Sequence, residues 1–234
     1  PPSSTFFPIT PPPAQPHTEP TPPLPDTDNL TTLVTIDNRG HLTIKKTIYP
    51  PTAYFSCAEN SKTHKIYCFG GYNGISITEI VEYDPSNNTV TIKSAVLPSP
   101  RRGLACAENS AEHLIYCFGG SGSSGYLKEI LEYNPTTDTI AVKAATLPTG
   151  REEFACAENT QTHTIYCQGG GDSSGRVIDE IIEYNPLTDD IIIKPAILPS
   201  PRRLLSCTYH PNTNRIYCFG GRTSTSPFYA DIVE

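Results

Sequence analysis

Four copies of one short sequence constrain the fold of this chain more than any other feature. In each copy two cysteines stand eleven positions apart, and a pair of glycines follows the second cysteine after one residue. The leading cysteines are separated by 49, 50 and 51 residues: Cys57, Cys106, Cys156 and Cys207. Repeats of about 50 residues are typical of β-propellers, in which each repeat forms one blade. The spacing therefore predicts a propeller rather than a solenoid of short turns.

Each repeat divides into four short segments with strand character. Strand one surrounds the leading cysteine, and strand two ends in the paired glycines, as in IYCFGG from Ile66. Strand three alternates apolar and polar residues and stops at Asp-Pro or Asn-Pro, as in EIVEYDP from Glu79. Strand four is a run such as VTIK from Val90. No segment has helical periodicity, so we predict an all-β fold with four antiparallel strands per blade.

With these elements in place, the chain resembles the Kelch-repeat β-propellers over about residues 30–234. The resemblance depends on the double glycines, on a tyrosine in strand three and on an arginine five residues before the leading cysteine. The glycine pairs begin at Gly70, Gly119, Gly169 and Gly220, the tyrosines are Tyr83, Tyr133 and Tyr184, and the arginines are Arg101, Arg151 and Arg202. Two features depart from the family pattern, because the chain has no tryptophan for strand four and has Thr52 in place of the first arginine. The resemblance implies four blades, alone or as part of a larger propeller.

The first 29 residues differ in composition from the rest of the chain. Eleven of the 24 prolines lie within the first 26 residues, and proline lacks the backbone donor that a helix or sheet requires. Too few apolar residues remain to build a core. We therefore predict a proline-rich extended arm over residues 1–29 and the propeller over residues 30–234. The chain starts at Pro1 and contains no methionine, which predicts a processed protein or a piece of a longer one.

The charge and hydropathy of the chain argue against two kinds of partner. The formal net charge is −7, and no run of lysine or arginine occurs, whereas binding to a phosphate backbone requires a concentrated basic surface. No apolar run approaches the roughly 20 residues of a membrane-spanning helix. We expect neither nucleic acid binding nor a membrane span.

The eight cysteines form four pairs, one in each repeat. If strands one and two form a hairpin, the two cysteines of a repeat lie opposite each other, at Cα separations of about 4.5 to 5.5 Å that suit a disulfide. We predict the disulfides Cys57–Cys68, Cys106–Cys117, Cys156–Cys167 and Cys207–Cys218. Two alternatives stay open: buried free thiols, and metal sites that include His64, His113 or His163. Each hairpin offers only three of the four ligands of a structural zinc site.

Residues with catalytic chemistry do not converge in the sequence. Some Kelch propellers are copper enzymes, but a copper site needs several histidines at one point. The six histidines here are His17 in the arm, His41, His210 and three turn residues that belong to different blades. The glutamates of the recurring AEN triplet repeat with the blade and are interpreted as architectural. We predict no catalytic residue, no metal, no cofactor and no enzymatic activity.

The recurring arginines are candidate binding residues. In the Kelch family this position often faces a rim of the propeller, so the resemblance implies that Arg101, Arg151 and Arg202 bind carboxylates of a partner in bidentate fashion. The alternative is an ion pair between each arginine and a Glu or Asp of a neighbouring blade.

Two Asn-x-Thr sequons predict N-glycosylation. They begin at Asn29, beside the arm, and at Asn87, in the turn after strand three, and both sites are expected to be exposed. The Ser/Thr/Pro-rich arm resembles an O-glycosylated stalk. Paired cysteines would indicate an oxidising compartment, so these features together favour a secreted glycoprotein.

The two ends of the chain contain one more strand-three segment than four closed blades require. Residues 33–45 align with strands three and four, and YADIVE at residues 229–234 begins another strand three. The N-terminal segment can complete a blade split between the chain ends, but strand three is then present five times. Either further blades follow, or the spare strand pairs with another molecule, and head-to-tail contacts that do not close would produce a filament.

These observations favour a secreted, non-enzymatic structural or adhesive glycoprotein built on a disulfide-stapled Kelch-like propeller. Its expected partner is a second copy or an extracellular protein or carbohydrate. The alternative is a propeller that recognises a protein or carbohydrate ligand through loop aromatics such as Tyr72, Tyr126 and Phe228. A third class, the intracellular substrate adaptor, would keep its cysteines reduced.

Overall fold

The computed structural model describes residues 31–36, 42–47, 52–224 and 228–234. The predicted arm, with Asn29 and His17, and also His41 lie outside the described residues. The strands form four successive blade sheets, each antiparallel, and together they make a four-bladed β-propeller. The described residues contain no helix, and none of them forms a helical span suited to crossing a membrane. The all-β propeller prediction is confirmed.

The strands follow the repeat in chain order. A hairpin precedes the first blade: β1 (Thr31–Ile36) and β2 (Leu42–Thr47). Blade 1 contains β3 (Ser56–Asn60), β4 (Lys65–Phe69), β5 (Glu79–Asp84) and β6 (Thr89–Val96). Blade 2 contains β7 (Ala105–Asn109), β8 (Leu114–Phe118), the short β9 (Ser121–Gly122) and β10 (Gly125–Tyr126), β11 (Glu129–Asn134) and β12 (Thr139–Thr146).

The last two blades repeat this plan with one difference. Blade 3 contains the short β13 (Arg151–Glu152), β14 (Ala155–Asn159), β15 (Thr164–Gln168), the short β16 (Gly171–Asp172), β17 (Glu180–Asn185) and β18 (Asp190–Ile197). Blade 4 contains β19 (Arg203–His210), β20 (Arg215–Arg222) and β21 (Ile232–Val233). The sheet of blade 4 therefore has three strands among the described residues, whereas the other blades have four.

The two end segments, which together contain one strand three more than four closed blades require, both form β-strands. The hairpin β1–β2 pairs Val34 with Ile44 and forms a two-stranded sheet of its own within the described part of the chain. At the other end, β21 adds to β20 and places Val233 opposite Cys218. This is the strand-three position predicted for YADIVE. The completion of a split blade by the N-terminal segment stays a prediction.

The first strand of each blade lies at the axis of the propeller. Neighbouring first strands contact one another from β3 through β7 and β14 to β19. They surround an axial cavity of about 490 Å³, and the leading cysteine of every blade lines it. Strand four is the outer edge of blades 1 to 3.

The hydrophobic core lies between adjacent blades. The strand-three tyrosine of blade 2, Tyr133, has its ring centroid 5.5 Å from that of Tyr67 and 5.4 Å from that of Phe69, both on strand two of blade 1. Between blades 2 and 3, Tyr184 packs in the same way against Tyr116 and Phe118. These separations suit tilted and edge-to-face aromatic pairs. The recurring tyrosine is therefore a residue that joins blades.

The paired glycines also serve blade packing. Gly119 has a φ of +56°, and a Cβ added there would lie 2.7 Å from the carbonyl oxygen of Arg151, in the segment that leads into blade 3. The next glycine, Gly120, donates its N–H to that same oxygen at 2.9 Å. A side chain at Gly119 would therefore hold the two blades apart, and only glycine adopts this φ without steric cost.

Candidate functional site

The structure contains disulfides at the four predicted pairs. In each blade the two cysteines are directly opposed on strands one and two, with Cα atoms 4.1 Å apart. No free cysteine remains. Closing a loop of this length stabilises a fold by roughly 2 to 3 kcal/mol in the chain-entropy account. The disulfides are structural and indicate an oxidising environment.

Two of the three recurring histidines, His113 and His163, form part of a ladder between blades. His113 has a positive φ of 57° in the turn after strand one, and its Nδ1 lies 3.0 Å from Ser61 Oγ of the preceding blade. Glu108 accepts hydrogen bonds from Ser61 N and Oγ at 2.7 and 2.9 Å. No cluster of three metal-ligating side chains occurs in the part of the chain that the structure describes.

The three arginines predicted to bind a partner are buried inside the propeller. Arg101, Arg151 and Arg202 are at most 1% exposed. Each donates to a carbonyl oxygen of the double glycine in its own blade and pairs with the carboxylate that begins strand three: Glu129, Glu180 and Asp231. Each arginine thus forms an ion pair, as in the alternative hypothesis, but its partner belongs to its own blade and not to a neighbouring blade. A partner carboxylate could reach these groups only by displacing an internal ion pair.

The Asn87 sequon lies on the surface. Asn87 is exposed, and its Oδ1 accepts hydrogen bonds from Thr89 N at 3.1 Å and Thr89 Oγ1 at 2.6 Å. In blade 2 the corresponding turn packs against blade 1, because Asp138 accepts a hydrogen bond from Ser94 N. Thr137, which occupies the position of Asn87 in that turn, is nevertheless exposed. A glycan at Asn87 is therefore compatible with blade packing, and glycosylation of Asn87 and Asn29 stays a prediction.

The residues that follow the buried arginines line a different surface. We define the loop face as the segments that lead into the first strands, residues 53–55, 102–104, 152–154 and 203–205, with the loops after the double glycines, residues 71–77, 120–127, 170–177 and 221–224. The two sets pair backbone to backbone in every blade. Directly after the buried arginines come Arg102, Glu152 and Arg203.

The loop face exposes its cations and buries its acids. The side chains of Arg102 and Arg176 are 41% and 62% exposed, whereas those of Glu152 and Asp172 are 10% and 8% exposed. Glu152 accepts hydrogen bonds from the Ser121 hydroxyl and from Tyr126 Oη. Arg102 and Arg176 pair with these acids through Nε, at 3.9 and 3.1 Å. The charged groups exposed on this face are therefore guanidinium groups, although the whole chain carries a formal net charge of −7.

Two arginines face each other in blade 4. Arg203 and Arg222 are directly opposed across β19 and β20, a position in which like charges are destabilising. Arg203 Nε is buried and has no hydrogen-bond partner. Arg203 Nη1 lies 3.4 Å from Glu153 Oε2, within ion-pair distance but without hydrogen-bond geometry. Burial raises the pKa of Glu153, and the nearby arginines only partly oppose this shift.

A recess opens beside Arg102. It has a volume of about 360 Å³ and is lined by Ile75, Pro100, Arg102 and the loop that begins at Ser121. The guanidinium of Arg102 lies 4.9 Å from the ring centroid of Tyr72, a cation–π arrangement that holds the cation at the recess. The recess thus combines an apolar wall with a guanidinium group that is held in place. This combination suits an apolar side chain that has acidic residues next to it in the sequence.

The loop aromatics proposed from the sequence have different roles. Tyr72 is covered by Arg102, and Tyr126 donates its hydroxyl to Glu152 at 2.9 Å. Phe228, in contrast, is 78% exposed and forms a β-bridge with Arg222. Only Phe228 of the three is thus available as an apolar contact next to the opposed arginines.

Sequence reasoning missed the Arg203–Arg222 pair. The positions of the two residues in the repeat could have revealed the pair. Arg203 directly follows a recurring arginine, and Arg222 directly follows a double glycine. Extending the predicted hairpin register beyond Cys207 and Cys218 places the two arginines opposite each other.

Comparison with known families agrees with this architecture. A family model described as the KLHDC2/KLHL20/DRC7 Kelch-repeats domain matches residues 22–221. The chain belongs to the Kelch-repeat family. A comparison with curated proteins gave no match. Kelch propellers mediate protein–protein interaction, and the loop face of this Kelch propeller is the surface on which its side chains differ from blade to blade.

Proposed function

We propose that this Kelch propeller is a secreted, non-enzymatic glycoprotein module that binds a protein partner through its loop face. The observation that carries the proposal is the exposure of guanidinium groups on a face whose carboxylates are buried. The partner presents an extended acidic segment with an apolar residue. Such a binding role is compatible with an adhesive or structural task outside the cell.

The arginine pair explains the preference for an acidic segment. A carboxylate placed beside Arg222 and the accessible part of the Arg203 guanidinium would relieve the repulsion of two directly opposed cations. Arginine binds carboxylates with paired, charge-assisted hydrogen bonds. Phe228 lies beside this position and supplies an apolar contact.

Secretion and the absence of catalysis rest on separate observations. Four disulfides suit an oxidising, extracellular environment, and the exposed Asn87 suits a glycoprotein. Glu108 and His113, which carry the side-chain chemistry of a general acid or base, are engaged in the ladder between blades.

Fluorescence polarisation with a labelled glutamate-rich peptide tests the binding site. We expect Arg203→Gln to weaken binding at least about tenfold, since hydrogen bonds to a charged group contribute about 1.5 to 3 kcal/mol. Lys62→Gln is the matched control, because Lys62 is also an exposed cation but lies in a turn after strand one. Equal affinities of the two variants, at equal thermal stability, would contradict the proposal.

Self-association is a second candidate, favoured by one observation. Tyr83 in blade 1 is only partly buried, whereas its counterparts Tyr133 and Tyr184 are at most 1% exposed between blades. Within the part of the chain that the structure describes, the tyrosine of blade 1 is therefore partly accessible, although the equivalent tyrosines pack between blades. Sedimentation velocity of the chain and of Tyr83→Arg tests this candidate, which predicts concentration-dependent oligomers that the substitution removes.

A further inference from the structure

The loop that follows the double glycine of blade 1 ends in a three-residue tip. Tyr72 and Ser76 form an antiparallel bridge, and Asn73, Gly74 and Ile75 lie between them. Asn73 N donates to Ile75 O at 3.1 Å, which closes the tip. All three tip residues are exposed. The peptide bond between Asn73 and Gly74 is therefore held at the end of a loop, in contact with solvent.

The conformation of the tip explains its glycine but not its asparagine. Gly74 has a φ of +111°, a value that favours glycine. The corresponding loops of blades 2 and 3 also contain a positive-φ glycine, Gly125 and Gly175, and a serine precedes each of them. The asparagine at position 73 is thus a feature of blade 1 that the turn itself does not require.

The tip leaves both groups of an intramolecular reaction accessible. A Cβ added to Gly74 would meet no atom within 4 Å, so packing does not shield the backbone nitrogen of this residue. Within the described part of the chain, neither this N–H nor the side-chain amide of Asn73 forms a hydrogen bond. The nitrogen that follows an asparagine can attack the side-chain carbonyl carbon, and glycine permits this most readily because it has no side chain to crowd the approach.

We propose that Asn73 is a site of spontaneous deamidation that adds a carboxylate to the loop face. Gly74 N loses its proton to hydroxide and attacks Asn73 Cγ. The new C–N bond closes a cyclic succinimide, while the bond from Cγ to the side-chain nitrogen breaks and this nitrogen leaves as ammonia. Water then opens the ring at either carbonyl and leaves aspartate or isoaspartate. The reaction consumes only water and involves no oxidation or reduction.

Arg102 lies close to this tip. Its guanidinium lies 4.9 Å from the ring centroid of Tyr72, the residue before Asn73, and Ile75 lines the recess beside the same arginine. A carboxylate at position 73 would attract the guanidinium and repel an acidic ligand at the recess. This consequence for binding rests on the proposed function, whereas the deamidation itself does not.

A second asparagine provides a control within the same protein, because a small residue also follows it. Asn109 is 2% exposed, and its Nδ2 donates to His163 O at 2.8 Å. The attacking atom there would be Ser110 N, which donates to Glu158 Oε1 at 2.8 Å. Asn109 should therefore convert at least about tenfold more slowly than Asn73, since its reacting groups must first give up hydrogen bonds, one of them to a charged acceptor.

Tandem mass spectrometry of the aged protein measures conversion at each asparagine. The whole chain is incubated at neutral and at mildly alkaline pH and is digested at mildly acidic pH, which limits further reaction. We expect Asn73 to convert first, at a rate that rises about tenfold for each unit of pH, because the deprotonated fraction of a weak acid rises in that proportion. A synthetic peptide with the sequence of residues 71–77, GYNGISI, gives the rate without the fold. No conversion of Asn73 by the time the peptide has fully converted, or equal rates at Asn73 and Asn109, would overturn the proposal.

Fluorescence polarisation with the labelled glutamate-rich peptide measures the effect on the loop face. Asn73→Asp should weaken binding by up to about fivefold, the range of an exposed ion pair, and the unsubstituted chain should approach this affinity as it ages. Asn73→Gln is the matched control, because glutamine closes such a ring far less readily, and this variant should hold its starting affinity on ageing. Conversion of Asn73 without a change in affinity would overturn the link to the loop face. If the peptide does not bind the fresh protein, the proposed function fails, and the mass spectra still decide whether Asn73 deamidates.

Discussion

The turn face and the loop face of the propeller differ in how far their side chains recur from blade to blade. On the turn face, formed by the turns between strands one and two, side chains recur from blade to blade: Ser61 N donates to Glu108 at 2.7 Å, and Ser110 N donates to Glu158 at 2.8 Å. On the loop face the backbone pattern recurs, through hydrogen bonds from Gly103 N to the preceding blade and from Glu153 N to Gly103 O, but Glu152 stands where blades 2 and 4 have Arg102 and Arg203. Residues that repeat with the blade hold the propeller together, and residues that differ between blades lie on the face proposed for binding.

Neighbouring arginines show the same contrast within one segment. Arg101 is fully buried and bonded inside blade 2, whereas Arg102 is 41% exposed and stacks on Tyr72. The sequence places them side by side, but the first belongs to the architecture and the second to the loop face.

The largest expected effect separates these two arginines. Arg101→Met removes the donor to Gly119 O, Ser99 O and Ser99 Oγ, and we expect a loss of about 3 kcal/mol in the free energy of unfolding, because these acceptors lose hydrogen bonds from a charged group. Arg102→Met should change it by no more than about 0.5 kcal/mol. Urea denaturation without reductant measures both values, and equal losses would contradict the assignment of separate roles.

The disulfides provide the next test of the architecture. Replacing Cys106 and Cys117 together by alanine should lower the free energy of unfolding by roughly 2 to 3 kcal/mol, because the unfolded chain regains the entropy of an eleven-residue separation. Binding of the acidic peptide to the loop face should stay within about twofold once the protein is folded, since both cysteines lie on strands one and two. A loss of binding by the folded variant would show that the loop face depends on the disulfide.

A smaller effect distinguishes blade 1 from blade 2 on the turn face. Glu108→Ala leaves Ser61 N and Oγ without their acceptor and should cost about 1 to 2 kcal/mol. Glu59→Ala, at the same place in blade 1, is the matched control, because the side chain of Glu59 is 65% exposed and lies 4.0 Å from His64. Thermal unfolding of both variants measures the difference, and equal melting temperatures would mean that the ladder does not join the blades.

The sequence is sufficient for those repeating features that depend only on the period and on strand pairing. The period of about 50 residues, the strand order and the pairing of Cys57 with Cys68 follow from spacing and hairpin symmetry. The role of Arg101 was left between two alternatives, because a residue type and a period do not reveal whether a side chain points inward. The opposition of Arg203 and Arg222 was missed, since it depends on a register that extends past the cysteines of blade 4.

The smallest expected effect concerns pH and the loop face. Glu153 faces Arg203, with Glu152, Arg222 and Arg102 nearby, and burial raises its pKa above the ordinary value. Its folded pKa therefore exceeds its unfolded pKa, so the ionised form destabilises the fold, and stability falls as the pH rises through the folded pKa.

The same protonation should affect binding of an acidic peptide. As the pH falls through the folded pKa of Glu153, the neutral carboxyl releases Arg203, while glutamates of an exposed peptide stay ionised down to about pH 4.3. We expect affinity to rise by about two- to fivefold, the range of a weak ion pair, as the pH is lowered from neutral through the raised folded pKa of Glu153. Glu153→Gln should bind more tightly at pH 7 and lose this dependence, as polarisation titrations across the range would show. An affinity that falls on acidification in both proteins would mean that Glu153 does not compete with the ligand for Arg203.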